Sequence, residues 1–205
     1  LIENRWQTSM AKKDVKRIRI YEAALEVFAR YGYRRARMED VAEALHMTKG
    51  NLYLYVSNKR DLYEKAVAHA LLKWQGHAKR EADRFDDPVQ KLAVYSTKGI
   101  EYLQQDPVLK AVLIDNPSVF PISPSEDPFY EINRASMDML KEILKKGVDQ
   151  KRFAAMDVDR VAELFYSIYT LFINKVYIKS EGESTLSMFE EGIGIVLNGL
   201  LARGD

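Results

Sequence analysis

The sequence predicts an all-α protein. Nearly every segment longer than ten residues repeats its apolar positions at steps of three and four, and no run of alternating β-branched residues marks a strand. Proline and glycine fall at only a few points, so they divide the chain into helices without breaking the periodic stretches.

Ile20, Ala24, Val27, Phe28 and Tyr31 share one stripe of the first helix, which Gly32 is expected to end. A short helix is expected from about Glu39 to Leu45, with Val41, Ala42 and Leu45 facing inward. Thr48 opens a third helix, because its hydroxyl can cap the free N–H groups of the first turn; Leu52 and Val56 face the core. Longer helices follow: Arg60 to Arg84, one from Asp86-Asp87-Pro88 to Gln105, and one from Asp106-Pro107 to about Asp115. Four prolines between Asn116 and Pro128 predict a loop. Beyond it, helices are expected from Phe129 to Val148, from Val158 to about Lys179, and, after a turn at Glu181 to Ser184, from Thr185 to about Ala202. The pattern divides into a head over residues 10–59 and a body over residues 60–205, with residues 1–9 read as either a leader or sequence added to the native fold.

The 205 residues carry a net charge of +1, which conceals an asymmetry. Residues 11–61 hold 12 Lys and Arg against 7 Asp and Glu, whereas residues 62–205 hold 18 against 22. A basic head suits a phosphate-facing surface, because cations that replace condensed counterions supply much of the affinity for nucleic acid; a solvated charged face is the alternative. The chain has no cysteine, which excludes disulfides and thiolate metal sites and fits a reducing cytoplasm. Neither a signal peptide nor a membrane span is visible, so a cytoplasmic location is expected.

The stretch from Gly32 to Lys59 has the layout of a helix-turn-helix: a short helix, the turn Leu45-His46-Met47 with Met47 as an apolar plug, and a second helix opened by Thr48. Only residues near the N-terminus of such a second helix reach base edges in a major groove, which nominates Lys49, Gly50 and Asn51. Gly50 lets backbone approach the duplex closely. Here the sequence resembles the head of the tetracycline-repressor (TetR) family, through Phe28, Gly32-Tyr33, Val41-Ala42, Thr48-Lys49-Gly50-Asn51-Leu52-Tyr53, Tyr55-Val56 and Ser57-Asn58-Lys59. The resemblance implies that Thr48, Tyr53 and Lys59 hold DNA phosphates while Lys49, Asn51 and Tyr55 meet bases. Tyr53 is alternatively a core aromatic, and Lys49 and Lys59 solvated lysines. Two positions depart from the family pattern. Arg37, a poor cap, stands where Thr is usual before the second helix and either contacts phosphate or leaves the helix start to Glu39 and Asp40, and His46 replaces the usual turn glycine, which requires left-handed backbone at His46.

The resemblance further implies a homodimer, a double-stranded operator, and release by a small apolar or aromatic effector held in the body. In the last helix Leu186, Phe189, Ile193, Val196 and Leu200 form a narrow seam, and Val161, Phe165, Ile168 and Phe172 repeat the rhythm in the preceding one. Phe165, Phe172, Phe189, Ile193, Val196 and Leu200 are therefore the expected dimer interface, with burial in their own subunit's core as the alternative. Gly192, Gly194 and Gly199 are read as sites of close helix packing. Trp74, Tyr95, Tyr102, Phe129, Phe165 and Tyr169 are the expected effector-binding residues, among middle-helix aromatics that also include Phe120. No cofactor and no metal site is predicted: His69 and His77 stand eight apart on one helix, too far for a compact chelate pair, and are read as solvated. Hydrolase and metalloprotease motifs and a complete phosphate loop do not occur, so a regulator is expected ahead of a helical scaffold or a small all-α enzyme.

Overall fold

The computed structural model describes residues 2–116, 119, 127–173 and 184–202, with side chains described from residue 14 onward and, in the last segment, from 187. Its helices are α1 (Ile2–Arg35), α2 (Met38–Ala44), α3 (Lys49–Leu52), α4 (Lys59–Ala82), α5 (Pro88–Gln105), α6 (Pro107–Asp115), α7 (Tyr130–Asp149), α8 (Val158–Phe172) and α9 (Ser184–Leu200). Among the described residues there is no strand, only one isolated antiparallel bridge between Phe153 and Leu201. The predicted loop segment containing Phe120, and the end of the helix predicted to reach Lys179, lie outside the described residues.

Punctuation in the sequence becomes caps in the fold. Asn58, Asp87, Asp106 and Asp157 each accept a backbone N–H from the third residue of the helix they open. Pro88 and Pro107 then sit at first helical positions, where a missing N–H costs nothing. Arg152, in the turn after α7, holds Asp87 through two bonds of 2.8 and 3.3 Å. That guanidinium keeps the Asp87 carboxyl below its usual range and ties the α7–α8 turn to the start of α5. In the same turn, Ala154 N donates to Leu200 O at 2.9 Å, so the end of α9 is pinned beside it.

The core runs without interruption through both halves of the molecule. α1 packs against α4 and α6, α4 against α5, α5 against α7 and α9, and α7 against α8. Ile20, Ala24, Val27 and Phe28 are buried as the stripe predicted, but Tyr31 is exposed. Next to it, Gly32 does not simply end α1 but breaks it at φ 73°, ψ 155°, with one further turn running on to Arg35. His69 and His77 are not solvated either. His69 is half-buried beside Tyr21 and lies 3.7 Å from Glu22, and the half-buried His77 ring lies 5.2 Å from that of Tyr102.

Candidate nucleic-acid interface and body cavity

α2 is short because its ends are fixed by local bonds. At its start, Arg37 contributes no side-chain cap; instead the Asp40 carboxylate accepts the Arg37 N–H at 2.7 Å. At its end, the chain turns through His46 at φ 52°, the left-handed backbone its position requires. Met47 N then donates to Ala42 O at 2.9 Å, and the Met47 side chain packs against the core as the plug between helices. Thr48 caps α3: its hydroxyl oxygen accepts the Asn51 N–H at 3.2 Å. Leu52 and Val56 are buried beneath, so α3 is held on the head by its apolar side.

With that side fixed, Thr48, Lys49, Gly50 and Asn51 are all exposed, as is Arg37. Tyr53 is exposed rather than core, and Lys49 Nζ lies 5.9 Å from its ring centroid. Lys49 also meets Glu39 of α2 at 2.6 Å, a contact that lowers the pKa of the carboxyl and raises that of the amine. Exposed pairs of this kind are worth little to stability, so the ammonium is readily transferred to another anion. Lys59 sits differently. It is half-buried, donates to Arg34 O at 3.1 Å and lies 4.8 Å from the Tyr33 ring centroid, so it fastens the start of α4 to the end of α1.

Lys16 and Arg19 of α1 line one open groove together with His46, Thr48 and Asn51. Lys16 Nζ also lies 5.2 Å from the ring of half-buried Tyr55. The sequence reading missed these two cations. Their signal is an i, i+3 pair on the face of α1 that turns toward α3, and it becomes visible only once α1 and α3 are packed together.

The head is clasped to the body at Gly32. Asp115, the last residue of α6, accepts the Tyr33 N–H at 2.9 Å, and a Cβ placed on Gly32 would lie 2.8 Å from its carboxylate. Next to it, Asn116 donates to the Tyr63 hydroxyl at 3.1 Å, and Tyr63 of α4 packs edge-on against Phe28 at 5.1 Å. α1, α4 and α6 therefore meet at one joint.

Inside the body, Trp74, Tyr95, Phe165 and Tyr169 line a common cavity, together with Tyr166 and the polar residues Ser96, Asn133 and Ser136. Tyr102 and Phe129, also expected there, do not line it: Tyr102 packs on His77, and Phe129 is buried where α7 begins. Trp74 Nε1 donates to Gly99 O at 2.7 Å, and Tyr169 fills the space beside Gly99 so closely that a Cβ there would lie 2.2 Å from its hydroxyl. The remaining free space is about 40 Å³. That is room for a water-sized guest, whereas typical ligand pockets measure roughly 300 Å³ or more, so a larger guest displaces wall side chains. Burial raises the pKa of the Tyr95, Tyr166 and Tyr169 hydroxyls, keeping them neutral.

The rotation of α8 and α9 turns much of the expected dimer seam inward. Phe165, Phe189 and Ile193 are buried in their own subunit, Phe189 to 3% exposure, and the partly buried Phe172, Val196 and Leu200 pack beside them. Leu164, Ile168 and Leu171 of α8 stand outward, as do Met188 and Ile195 of α9, with Leu171 at 62% and Ile195 at 74% exposure. Nothing within 4 Å would meet a Cβ on Gly192, Gly194 or Gly199, so these glycines mediate no close packing among the described residues. Met188, Gly192, Ile195 and Gly199 follow steps of four, three and four, one coiled-coil-like stripe.

A short helix behind a tight turn, presented with its N-terminal polar residues outward on a three-helix head, defines a helix-turn-helix DNA-binding protein. Residues 20–66 match the family model described as bacterial regulatory proteins, tetR family. The chain is 24% identical over 173 residues to the HTH-type transcriptional regulator LuxR of Vibrio harveyi, covering 81% of this chain and 82% of that one. It is 20% identical to the repressor KstR2 of Mycobacterium tuberculosis, covering 92% and 94%. Among solved structures, FadR of Bacillus subtilis in complex with stearoyl-CoA superposes with a TM-score of 0.75 at 17% identity, covering 89% of this chain and 98% of that one. The head is thus similar to that of the tetR family of bacterial regulatory proteins, and the relatives that match along most of the chain are transcriptional regulators. No helix among the described residues is long and apolar enough to cross a membrane.

Proposed function

We propose that this chain is a homodimeric repressor that holds a pseudo-palindromic operator with its head, residues 10–59, and releases it when a small, largely apolar effector enters its body, residues 60–205. The observation that carries the reading is the exposed N-terminal part of α3, capped by Thr48 and flanked by Lys16 and Arg19. Lys49, Gly50 and Asn51 enter the major groove, with Tyr55 beside them. Arg37, Thr48, Tyr53 and the two α1 cations hold phosphates, and Lys59 sets the angle of α4 beneath them. The apolar faces of α8 and α9 pair across a two-fold axis and place two α3 helices one turn of B-DNA apart, about 34 to 36 Å. An effector that swells the body cavity bears on Trp74 of α4 and shifts the heads from that spacing. It releases DNA to the extent that it prefers the shifted form, typically by about 1–3 kcal/mol. The stearoyl-CoA complex of FadR supports a lipid-like effector in a body of this fold.

The test selects duplexes from a random pool with the purified protein and compares two variants on the selected sequence. Lys49→Ala is expected to relax base preference, while Lys59→Ala weakens all duplexes alike through the loosened α1–α4 joint. Unaltered binding by both variants overturns the docking, and the lack of any selected sequence overturns the regulator itself.

A further inference from the structure

Among the described residues, the body cavity is lined by no charged side chain, and one of its lining residues, Asn133, carries a buried acceptor without a partner. Asn133 of α7 is only 6% exposed, and its Nδ2 donates to Asp127 Oδ2 at 2.8 Å. A carboxylate only accepts, so this bond settles which end of the amide is which. The nitrogen turns to Asp127, which does not line the cavity, and Oδ1 is left buried with no hydrogen-bond partner among the described residues. Buried acceptors are rarely left in this condition, because water or a protein donor normally meets them.

Several other polar groups on the same wall are engaged, while Gln75 and the tyrosines Tyr166 and Tyr169 line it as well. The Tyr95 hydroxyl and Ser136 Oγ pair at 2.6 Å, Ser96 donates to Leu92 O at 2.9 Å, and Thr170 donates to Tyr166 O at 3.0 Å. No Lys, Arg, His, Asp or Glu is among the described lining residues. A carboxylate or phosphate drawn into this wall would lose its hydration with no cation to replace it, whereas an uncharged donor would gain the buried acceptor of Asn133.

We propose that the cavity takes an uncharged, largely apolar ligand bearing a hydroxyl or N–H group, which donates to Asn133 Oδ1. The inference rests on the reading of the body as the effector-binding part and adds the chemical class of the effector. Aromatic walls from Trp74, Phe165 and Tyr169 supply the apolar surface, and Asn133 orients the guest.

Calorimetric titration at neutral pH with 2-naphthol, naphthalene, 2-naphthoate, 1-decanol and decanoate tests it. At least one alcohol is expected to bind, about tenfold tighter than its carboxylate counterpart. Asn133→Leu is expected to weaken binding of that alcohol roughly fivefold to tenfold and to leave naphthalene unchanged. Asn133→Ala replaces it if the leucine variant does not fold. A carboxylate that matches its alcohol, an alcohol preference that survives loss of the Asn133 amide, or no binding of either alcohol in the millimolar range overturns the proposal. Duplex binding by the same preparations is measured separately: its loss counts against the regulator, while loss of alcohol selectivity with duplex binding intact counts against this site alone.

Discussion

In the head, Thr48, Lys49, Asn51 and Tyr53 stand exposed on and around one helical turn, while the body turns Trp74, Tyr95, Asn133 and Phe165 inward from four different helices. The head's chemistry is set by neighbours in sequence: a cap three residues away, a left-handed turn residue, and two buried anchors at Leu52 and Val56. The body's chemistry depends on how each long helix is rotated about its own axis. A change of one position along such a helix turns a side chain by roughly 100°. A surface built the first way tolerates changes elsewhere in the protein, and one built the second way does not.

The contrast is broken most strongly at the outer face of the body. Leu171→Glu combined with Ile195→Glu is expected to yield a folded monomer by light scattering and to weaken operator binding by about 100-fold, because two tethered heads are lost at once. A dimer that survives this pair would return the interface to the stripe led by Phe165 and Phe189. Between the two regions, Gly32→Ala forces a side chain into positive-φ backbone and against the Asp115 carboxylate. It is expected to cost about 1–3 kcal/mol in urea unfolding, with weaker DNA binding through the disturbed joint. Stability equal to that of the parent chain would mean that the α1 break is not structurally required. The smallest effect belongs to the head alone. Thr48→Ala removes the α3 cap and is expected to cost about 1 kcal/mol, while leaving ligand affinity in the body unchanged. A change in that affinity would show that the two regions are less separable than their construction suggests.

The same contrast explains what was legible in the sequence. The cap at Thr48, the turn at His46 and the Asp-Pro helix starts each depend on residues a few positions apart, so spacing alone locates them. Helix rotation is not so encoded where a helix is apolar on more than one side. In α8 both the buried Phe165 and the exposed Leu164 fit an apolar stripe, and periodicity favours neither. Asn133 carried no signal for a different reason. One amide in an amphipathic helix is ordinary until its nitrogen is seen bonded to Asp127 and its oxygen to nothing described. Lys16 and Arg19 were overlooked because only tertiary packing brings α1 beside α3.

The contact between Lys49 and Glu39 has a consequence for how the protein searches DNA. Under the proposed docking, every duplex must compete with an internal carboxylate for the cation that reads bases. A stretch offering only phosphate exchanges one anion for another and gains little, whereas a guanine edge adds acceptors whose geometry Glu39 does not reproduce. The exchange lowers the hold on random and matched sequence alike, so a matched site outlasts random sequence only through the added acceptors of its guanine edge. Under that docking, Glu39 would hold the base-reading cation in reserve and shorten residence wherever phosphate is all that the duplex offers.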